Sequence, residues 1–528
     1  MLKDKFKYFL LIFAIAVTGC AKRGSITGGM LDTIPPTLTT SVPKNFSTGF
    51  EGNTIRLTFD EYIKLRNLNK QLIVSPPMKT PPTILPLNAS KYITIKINDT
   101  LQPNTTYSFN FGQSIEDNNE SNPYPQFKYV FSTGTYIDSL TLGGTIKDAY
   151  TKETDNFVSV MLYEVNDTFA DSTIYKENPR YITNTLDSLT TFRLENLKEG
   201  KYLLVAMKDY NGNNKFDPKK DKIGFHRNFV TLPNDTLYEL ELFHEEIPFR
   251  AFKPSQVANS RLLMGYEGKT TNVAVTVRNG AETVPSVVTQ MPEKDSLQIW
   301  HKPIKVDSLQ VSVSKADYNA EFSVRIKAQS KDSLAFKQGS FSLRTDFTLN
   351  SSIPLTKIDS TRITIIKKDS AAVAFTTSYD NFTQSIKFKF QKDPLENYII
   401  KALPGAFIDF YDQVNDTLTY KLTTKNTSEY GNLRMTLENV RQFPVIVELT
   451  NAKGNVVATE YSEGATSIEF NFLEPEIYTL RVIYDENKNR EWDTGSFLLK
   501  RQSEEVIYFP RELNVRGNWD VNEIFRLR

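Results

Sequence analysis

The segments TFRLENLKEGKY (191–202) and DYNGNNKFD (209–217) decide the fold, because the chain repeats both of them. They align without a gap on SIEFNFLEPEIY (467–478) and DENKNREWD (485–493), at a constant offset of 276 residues. In each copy apolar and polar residues alternate before an aspartate-rich stretch, which is the pattern of a strand with one buried face that leads into a turn. The repeat therefore predicts two copies of one β module.

Short alternating runs of the same kind fill most of the remaining sequence. Examples are YSFNF (107–111) and IKFKF (386–390), whose aromatic and aliphatic residues fall at every second position. Asn279-Gly280, placed between two such runs, predicts a hairpin with a type I′ turn. The only convincing helical candidate is residues 61–72, where we expect one or two turns of helix. The sequence thus predicts an all-β protein built as a string of β-sandwich modules.

Composition excludes several classes of function. The 528 residues contain 63 Lys and Arg against 62 Asp and Glu, without the positive surplus of a nucleic-acid-binding protein, so we expect no nucleic-acid partner. One cysteine and three histidines leave little for a zinc cluster or a catalytic triad. We therefore expect a protein that is not an enzyme, with no catalytic residues to assign.

The N-terminus has the pattern of an export signal. Basic residues at positions 3, 5 and 7 precede the short apolar run 8–16, and VTGC (17–20) follows at once. VTGC resembles the lipobox of bacterial lipoproteins, which implies cleavage before Cys20 and acylation of that residue. The expected partner is then a lipid bilayer, reached through acylated Cys20.

These observations predict eight segments. They are a lipoprotein signal peptide (1–19), a tether (20–34), an Ig-like domain (35–136), a first transthyretin-like sandwich (137–246), a β-rich middle module (247–346), an Ig-like module (347–428), a second transthyretin-like sandwich (429–512) and a C-terminal tail (513–528).

The names of these modules come from resemblances to known families. IRLTFD (55–60), LQPNTTY (101–107) and YVFSTG (129–134) resemble, in order and spacing, the bacterial Ig-like domain of SbsA-type S-layer proteins. The repeated modules, in which a Tyr-containing strand precedes an aspartate-rich loop, resemble the transthyretin-like or carboxypeptidase-regulatory sandwich.

The chain as a whole, beginning CAKRGSITGG (20–29), resembles a group of Ig-like lipoproteins of the phylum Bacteroidota. That resemblance implies a lipid-anchored outer-membrane location and, for some members, work beside the machinery that assembles outer-membrane proteins. Whether the protein faces the periplasm or the cell surface stays open, because AKRGS (21–25) lacks the acidic run associated with surface export in this phylum.

The two aspartate-rich loops are candidate Ca²⁺ sites, because oxygen side chains recur at ligand spacing. In the second loop Phe497 stands at the offset position of Asp221, so this loop is expected to lack one carboxylate and to bind more weakly. The alternative is a metal-free turn held by Asx hydrogen bonds, and no cofactor is certain. The candidate ligands are Asp209, Asn211, Asn213, Asp217 and Asp221 in the first loop and Asp485, Asn487, Asn489 and Asp493 in the second.

Two function classes stay open on the sequence. The favoured one is a non-enzymatic envelope lipoprotein that acts as a structural or interaction module, with an outer-membrane protein as its partner. The alternative is a surface lipoprotein that binds glycans or acts as an adhesin.

Overall fold

The computed structural model describes residues 32–186 and 189–527, and nearly all regular structure in these ranges is β. The described helices are single turns: α1 (Leu68–Gln71), α2 (Thr173–Lys176) and the 3-10 turns Ser360–Arg362 and Thr427–Glu429. No helix in the described ranges has the length and apolar character needed to cross a membrane. The predicted all-β class is confirmed.

The chain divides into two compact units. Of the described residues, unit 1 contains those up to Leu140 and the short stretch Asn196–Lys198, and unit 2 contains the rest, from Thr141 to Glu195 and from Glu199 onward. Unit 1 is essentially one β-sandwich, which we call module 1. Unit 2 holds four further sandwiches, modules 2 to 5, named in chain order.

Module 1 packs a five-stranded sheet, in the order β1-β2-β5-β4 with β7 also on β2, against a three-stranded sheet β3-β6-β8. Aromatic and aliphatic side chains from both sheets fill one core between them. The strands are β1 (Leu38–Val42), β2 (Thr54–Leu65), β3 (Ile73–Ser75), β4 (Thr83–Leu85), β5 (Ser90–Lys96), β6 (Thr106–Asn110), β7 (Ile115–Asp117) and β8 (Lys128–Ser132).

Module 2 pairs a five-stranded sheet, β11-β10-β13-β14 with β15 also on β13, with a three-stranded sheet β12-β9-β16. In the smaller sheet the first and last strands of the module, β9 and β16, run parallel. The strands are β9 (Leu140–Asp148), β10 (Ser159–Glu164), β11 (Tyr181–Asn184), β12 (Thr191–Leu197), β13 (Gly200–Lys208), β14 (Lys222–Phe225), β15 (Val230–Leu232) and β16 (Leu237–Leu242).

Modules 3 and 4 are also two-layered. Module 3 stacks β17-β19-β23-β22, with β18 also on β19, on β21-β20-β24-β25. The loop between β20 and β21 is Gly280-Ala281, because Asn279 pairs with Glu282. The predicted hairpin is therefore present with its turn one residue later. The prediction of a type I′ turn is wrong, because that type needs positive φ at both central residues and only Gly280 (59°) has it. The strands are β17 (Arg250–Ala251), β18 (Ser255–Ala258), β19 (Arg261–Glu267), β20 (Ala274–Asn279), β21 (Glu282–Val284), β22 (Ser286–Gln290), β23 (Ser296–His301), β24 (Ser308–Lys315) and β25 (Tyr318–Arg325).

Module 4 begins earlier than position 347, where the sequence interpretation placed it. Residues 336–338 pair with the strand at 347–351, and Leu334 packs on the same core, so this stretch belongs to module 4 and not to the middle module. Its sheets are β26-β27-β31-β30, β28-β33 and β29-β32-β34. The strands are β26 (Phe336–Gln338), β27 (Phe347–Ser351), β28 (Leu355–Ile358), β29 (Ile363–Lys367), β30 (Phe375–Asp380), β31 (Ser385–Phe390), β32 (Asn397–Ala402), β33 (Phe407–Asp409) and β34 (Leu418–Thr423).

Module 5 repeats module 2 strand for strand. Its sheets are β37-β36-β39-β40, with β41 also on β39, and β38-β35-β42, and here too the first and last strands run parallel. The repeated strands β12 and β13 have the same bounds as β38 and β39 after the 276-residue offset. The prediction that the two segments share one fold is confirmed. The strands are β35 (Gly431–Glu438), β36 (Val445–Thr450), β37 (Val456–Ser462), β38 (Ser467–Leu473), β39 (Glu476–Tyr484), β40 (Val506–Tyr508), β41 (Leu513–Val515) and β42 (Asp520–Arg526).

The interpretation of residues 513–528 as a C-terminal tail is wrong for the described part of that segment. β41 pairs with β39, and β42 pairs with β35 along seven residues as the counterpart of β16. The apolar side chains of Phe525 and Leu527 lie in the module core. Without these residues the smaller sheet would lose an edge strand and the core would open to water.

The helical prediction for residues 61–72 is mostly wrong. Residues 61–65 continue strand β2, because Ile63 pairs with both Ser90 and Asp117 in the sheet. Only Leu68–Gln71 forms one helical turn. Sheet pairing here outweighs the weak local helical pattern. By contrast, the alternation in IKFKF (386–390) is confirmed, since its apolar residues are buried and Lys387 and Lys389 are exposed.

Replacement of Phe525 by Ala tests whether β42 is part of the module. Phe525 is 3% exposed, whereas its neighbour Ile524 is 56% exposed. We expect Phe525→Ala to lower the free energy of unfolding by about 3–5 kcal/mol, because it leaves a cavity in the core. The matched Ile524→Ala should change it by less than about 0.5 kcal/mol. Urea unfolding monitored by tryptophan fluorescence measures the free energy of unfolding of both variants. Equal unfolding midpoints for the two variants would contradict the assignment of β42 to the module core.

Candidate functional site

The two aspartate-rich loops occupy equivalent places, each after the repeated central strand of its module. In the first loop Gly212 and Asn214 have positive φ (66° and 56°), and in the second Lys488 and Arg490, at the same offset, have 63° and 67°. Non-glycine residues adopt this left-handed conformation infrequently. The two loops therefore share a backbone path as well as a sequence pattern.

In the first loop the predicted ligand side chains accept hydrogen bonds from N–H groups of the loop itself. Asp209 accepts hydrogen bonds from the N–H groups of Asn211, Gly212 and Asn214 at 2.7–2.9 Å. Asn213 accepts from the N–H of Lys215 at 2.9 Å. Asp217 accepts a hydrogen bond from the N–H of Lys219, and Asp221 accepts from the N–H groups of Tyr210 and Asp217. The side-chain oxygen of Asn211 accepts from the ammonium group of Lys220.

Asp221 closes this loop from its far end and is fully buried. Burial raises the pKa of its carboxyl group, two backbone hydrogen bonds act in the opposite direction, and the negative charges of Asp209 and Asp217 raise the pKa further. The three carboxylates are thus close enough to influence one another.

In the second loop the predicted ligands form the same kind of turn. Asp485 accepts from the N–H groups of Asn489 and Arg490 at 3.1 and 2.9 Å. The side-chain oxygens of Asn487 and Asn489 each accept a backbone N–H, so their amide nitrogens point at Asp493, at 2.5 and 2.6 Å. The two amide groups therefore turn N–H donors toward Asp493, and their oxygens do not point to a shared metal position beside it.

The expectation that the second loop lacks a carboxylate is wrong. Glu504 takes the place of Asp221, because it accepts from the N–H groups of Glu486 and Asp493, the offset equivalents of Tyr210 and Asp217. Burial raises the pKa of Glu504, as it does for Asp221. The sequence contains a signal for this role, since Glu504 is the first acidic residue after Asp493.

No group of three or more His, Cys, Asp or Glu side chains among the described residues is placed to hold a metal ion. As they stand, the oxygens of both loops fit a turn closed by its own N–H groups. Calcium binding therefore stays a prediction from the sequence. Cys20, the predicted lipidation site, lies outside the described residues.

The second loop differs from the first by an insertion that reaches module 2. Asp221 follows Asp217 by four residues, whereas Glu504 follows Asp493 by eleven. Within the insertion Phe497 is completely buried, and its ring lies 5.3 Å from that of Phe225 and 6.5 Å from that of Tyr175, both of module 2. The residue that sequence alignment placed at a ligand position is thus an anchor between two modules.

Polar contacts surround this anchor. Lys500 forms an ion pair with Asp171 at 2.6 Å, and Gln502 donates to the carbonyl of Phe225 at 2.9 Å. Gly495 lies so close to module 2 that a Cβ atom there would be 2.5 Å from the ring of Phe243. Modules 2 and 5 therefore meet through a closely packed surface.

A second contact between these modules is built around Arg481 on β39. Its guanidinium pairs with Glu448, directly opposite on β36, at 2.6 Å. It also donates to the carbonyl of Tyr150 in module 2 at 3.0 Å and lies over that tyrosine ring at 3.9 Å. Tyr508 donates to the same carbonyl at 2.6 Å, and Trp492 packs on the Tyr150 ring at 4.6 Å.

Arg481 is buried, with its side chain only 4% exposed. Burial by itself would lower the pKa of the guanidinium, but the hydrogen bond with Tyr508 and the charge of Glu448 hold it above its usual value. The group therefore stays charged, and its charge is compensated only while its partners stay in place.

The remaining junctions of unit 2 join each module to the next. Lys219 of module 2 pairs with Glu267 of module 3 at 2.8 Å. Trp300, Ile353 and Phe410 form a shared apolar cluster between modules 3 and 4. Arg344 of module 4 pairs with Glu460 of module 5 at 3.1 Å. Module 2 thus contacts module 3, module 3 contacts module 4, module 4 contacts module 5, and module 5 contacts module 2. We call this arrangement of contacts the closed order of modules 2 to 5.

Comparison with known proteins assigns one part of the chain. Residues 32–133 match the family described as bacterial Ig-like domain. This match covers most of module 1, which is therefore similar to a bacterial Ig-like domain. No curated protein matches the chain.

Several solved structures are similar at low identity. Domains 1–6 of the surface layer protein SbsC share 10% identity, over 91% of this chain and 67% of that one, with a TM-score of 0.17. The Bacillus anthracis TIE protein shares 11%, over 96% and 76%, with a TM-score of 0.14. Salmonella alpha-2-macroglobulin reacted with methylamine shares 11%, over 92% and 43%, with a TM-score of 0.14.

The role of Arg481 is testable by comparison with an exposed arginine of the same module. We expect Arg481→Ala to lower the free energy of unfolding by about 3–5 kcal/mol, because it leaves the Glu448 carboxylate, only 14% exposed, without its countercharge. Arg434 pairs with Glu469 but is 58% exposed. Arg434→Ala should therefore cost about 0–1 kcal/mol. Urea unfolding of the full chain measures both, and similar losses would contradict the role of the buried pair.

Calcium binding is testable on the full chain by calorimetry and thermal unfolding. If the ion binds only the folded modules, it stabilises them by about 2.7 kcal/mol at a hundredfold excess over Kd. Because Glu504 supplies the acid that the offset position lacks, each loop contains three candidate carboxylate ligands, and we expect Asp217→Ala and Asp493→Ala each to remove one binding event. No heat of binding and an unchanged melting temperature in millimolar Ca²⁺ would leave both loops as Asx turns.

Proposed function

We propose that the protein is a non-enzymatic lipoprotein of the bacterial outer membrane that acts as a structural or interaction module in the cell envelope. The observation that carries the proposal is in the sequence: the single cysteine, Cys20, directly follows an apolar run and VTG, and the Ig-like domain begins twelve residues later. An exported protein that is acylated at this position is retained at a membrane with its β modules in the envelope.

The partner in this proposal is an outer-membrane protein, in line with the resemblance to Ig-like lipoproteins of the Bacteroidota. The closed order of modules 2 to 5 supports such a role, because the contacts at Arg481 and Phe497 fix the modules relative to one another. A surface whose parts are held in place loses less conformational freedom when a partner binds.

The experiment compares the wild-type chain with Cys20→Ser in the bacterium that produces it. We expect the wild type to incorporate labelled fatty acid and to fractionate with the outer membrane, and the variant to do neither. Cys20→Ala is a second variant that excludes an effect of the serine itself. A wild type without label, or a variant that stays in the membrane fraction, would contradict the proposed anchor.

The partner is tested separately by purification of the acylated protein in mild detergent. Stable co-purification of an outer-membrane β-barrel protein is expected. Recovery of the lipoprotein alone, together with retention on immobilised envelope polysaccharide, would overturn the proposal in favour of a glycan-binding or adhesin-type lipoprotein. The same purification with Arg481→Ala tests where the partner binds, because this substitution loosens the contact between modules 2 and 5. Loss of the co-purifying protein from this variant would place the binding surface in unit 2.

A further inference from the structure

The outer face of the larger sheet of module 1 has a regular arrangement of side chains. Ile55 and Leu57 of β2 and Ile93 and Ile95 of β5 are buried in the core, so the residues between them lie on the opposite face of the sheet. The strand register places these outer residues in cross-strand rows. One row contains Val42, Arg56, Thr94 and Leu85, and the next contains Thr40, Thr58 and Tyr92.

Large apolar side chains on this face are exposed to solvent. Val42 and Leu85 stand at the two ends of one row, and Tyr92 occupies the next. Leu87, in the turn between β4 and β5, is 70% exposed. Single exposed apolar residues are ordinary, but a group of them on one sheet face marks an interaction surface.

Basic and aromatic side chains accompany the apolar ones. The Arg56 guanidinium lies 3.8 Å from the centroid of the Tyr92 ring. Lys96, opposite Thr54, extends the basic character of the face. Tyrosine rings and long basic side chains around an apolar patch are the composition that suits a membrane interface, and their positive charge complements anionic headgroups.

The chain enters module 1 beside this face. The N–H and hydroxyl of Thr37 donate to the carboxylate of Asp60 on β2, at 2.8 and 2.6 Å, just before β1 begins along the edge of the sheet. Cys20 lies twelve residues before Asp32, the first described residue. Twelve residues can span at most about 40 Å. A bilayer that holds an acylated Cys20 therefore lies within about 40 Å of the point where the chain enters beside this sheet.

We propose that the outer face of the β1-β2-β5-β4 sheet rests on the lipid bilayer, with Val42, Leu85 and Leu87 at the headgroup boundary and Arg56 and Lys96 facing anionic lipid. This inference rests on the proposed function, because acylated Cys20 supplies the proximity. It assigns the Ig-like domain a second role, as a weak membrane-binding surface that orients the anchored protein.

The test uses the fact that Cys20 is the only cysteine. Once Cys20 is acylated, Leu87→Cys introduces the one free thiol, which is labelled with the environment-sensitive fluorophore NBD. Leu237→Cys, at an 82% exposed site in unit 2, is the matched control. The acylated full chain is reconstituted into vesicles of phosphatidylethanolamine and phosphatidylglycerol. We expect the emission at position 87 to rise several-fold and shift to shorter wavelength, and that at position 237 to stay as in buffer.

Further experiments determine whether the fluorescence change at position 87 comes from anionic lipid. Replacement of phosphatidylglycerol by phosphatidylcholine, or Arg56→Gln with Lys96→Gln, should reduce the signal at position 87. An acylated protein whose position 87 stays in water, or whose two positions respond equally, would overturn the inference while leaving the anchor intact. A signal that requires envelope polysaccharide or a protein extract, and not lipid, would also overturn it. Failure of acylation, read from fatty-acid labelling, would instead contradict the proposed function.

Discussion

The buried guanidinium of Arg481 is the interaction on which the arrangement of unit 2 depends. Its countercharge, Glu448, comes from the neighbouring strand of the same module, but the Tyr150 carbonyl and ring come from module 2. Removal of a charge from water costs several kcal/mol unless every partner is in place. Separation of modules 2 and 5 would withdraw the Tyr150 carbonyl and ring from a group that stays charged. The contact therefore links the internal stability of module 5 to its position.

That contact closes over a long stretch of chain. Tyr150 and Arg481 are 331 residues apart, and modules 3 and 4 lie between them in sequence. Closure of a flexible loop of this length is entropically costly, but the cost grows only with the logarithm of length. Because modules 3 and 4 are folded sandwiches that contact their neighbours, the chain between modules 2 and 5 is not a flexible loop in the folded protein.

The sequence contained the fold of modules 2 and 5 because the same core alternation occurs twice, and a register slip of one residue would turn each core outward. The constant offset could not find the roles of Glu504 and Phe497, because an insertion of seven residues breaks the alignment there; for Glu504 the remaining signal is that it is the first acidic residue after Asp493. The last strand, β42, was also missed, since its pairing with β35 is made over nearly ninety residues and its alternation is weak. Residues 61–65 show the opposite failure, in which a local helical pattern yields to pairing with distant strands.

The parallel pairing of β9 with β16 has a mechanical consequence. The chain enters module 2 through β9 and leaves it through β16, and the two strands pair from Leu237 opposite Gly143 to Leu242 opposite Asp148. Tension between the entry and the exit therefore pulls the strands lengthwise in opposite directions, so that the load is shared by the whole ladder in shear instead of opening one pair at a time. Resistance to such pulling is a matter of unfolding rate and not of equilibrium stability. A module of this design suits a chain that is held at one end while a partner pulls on the other.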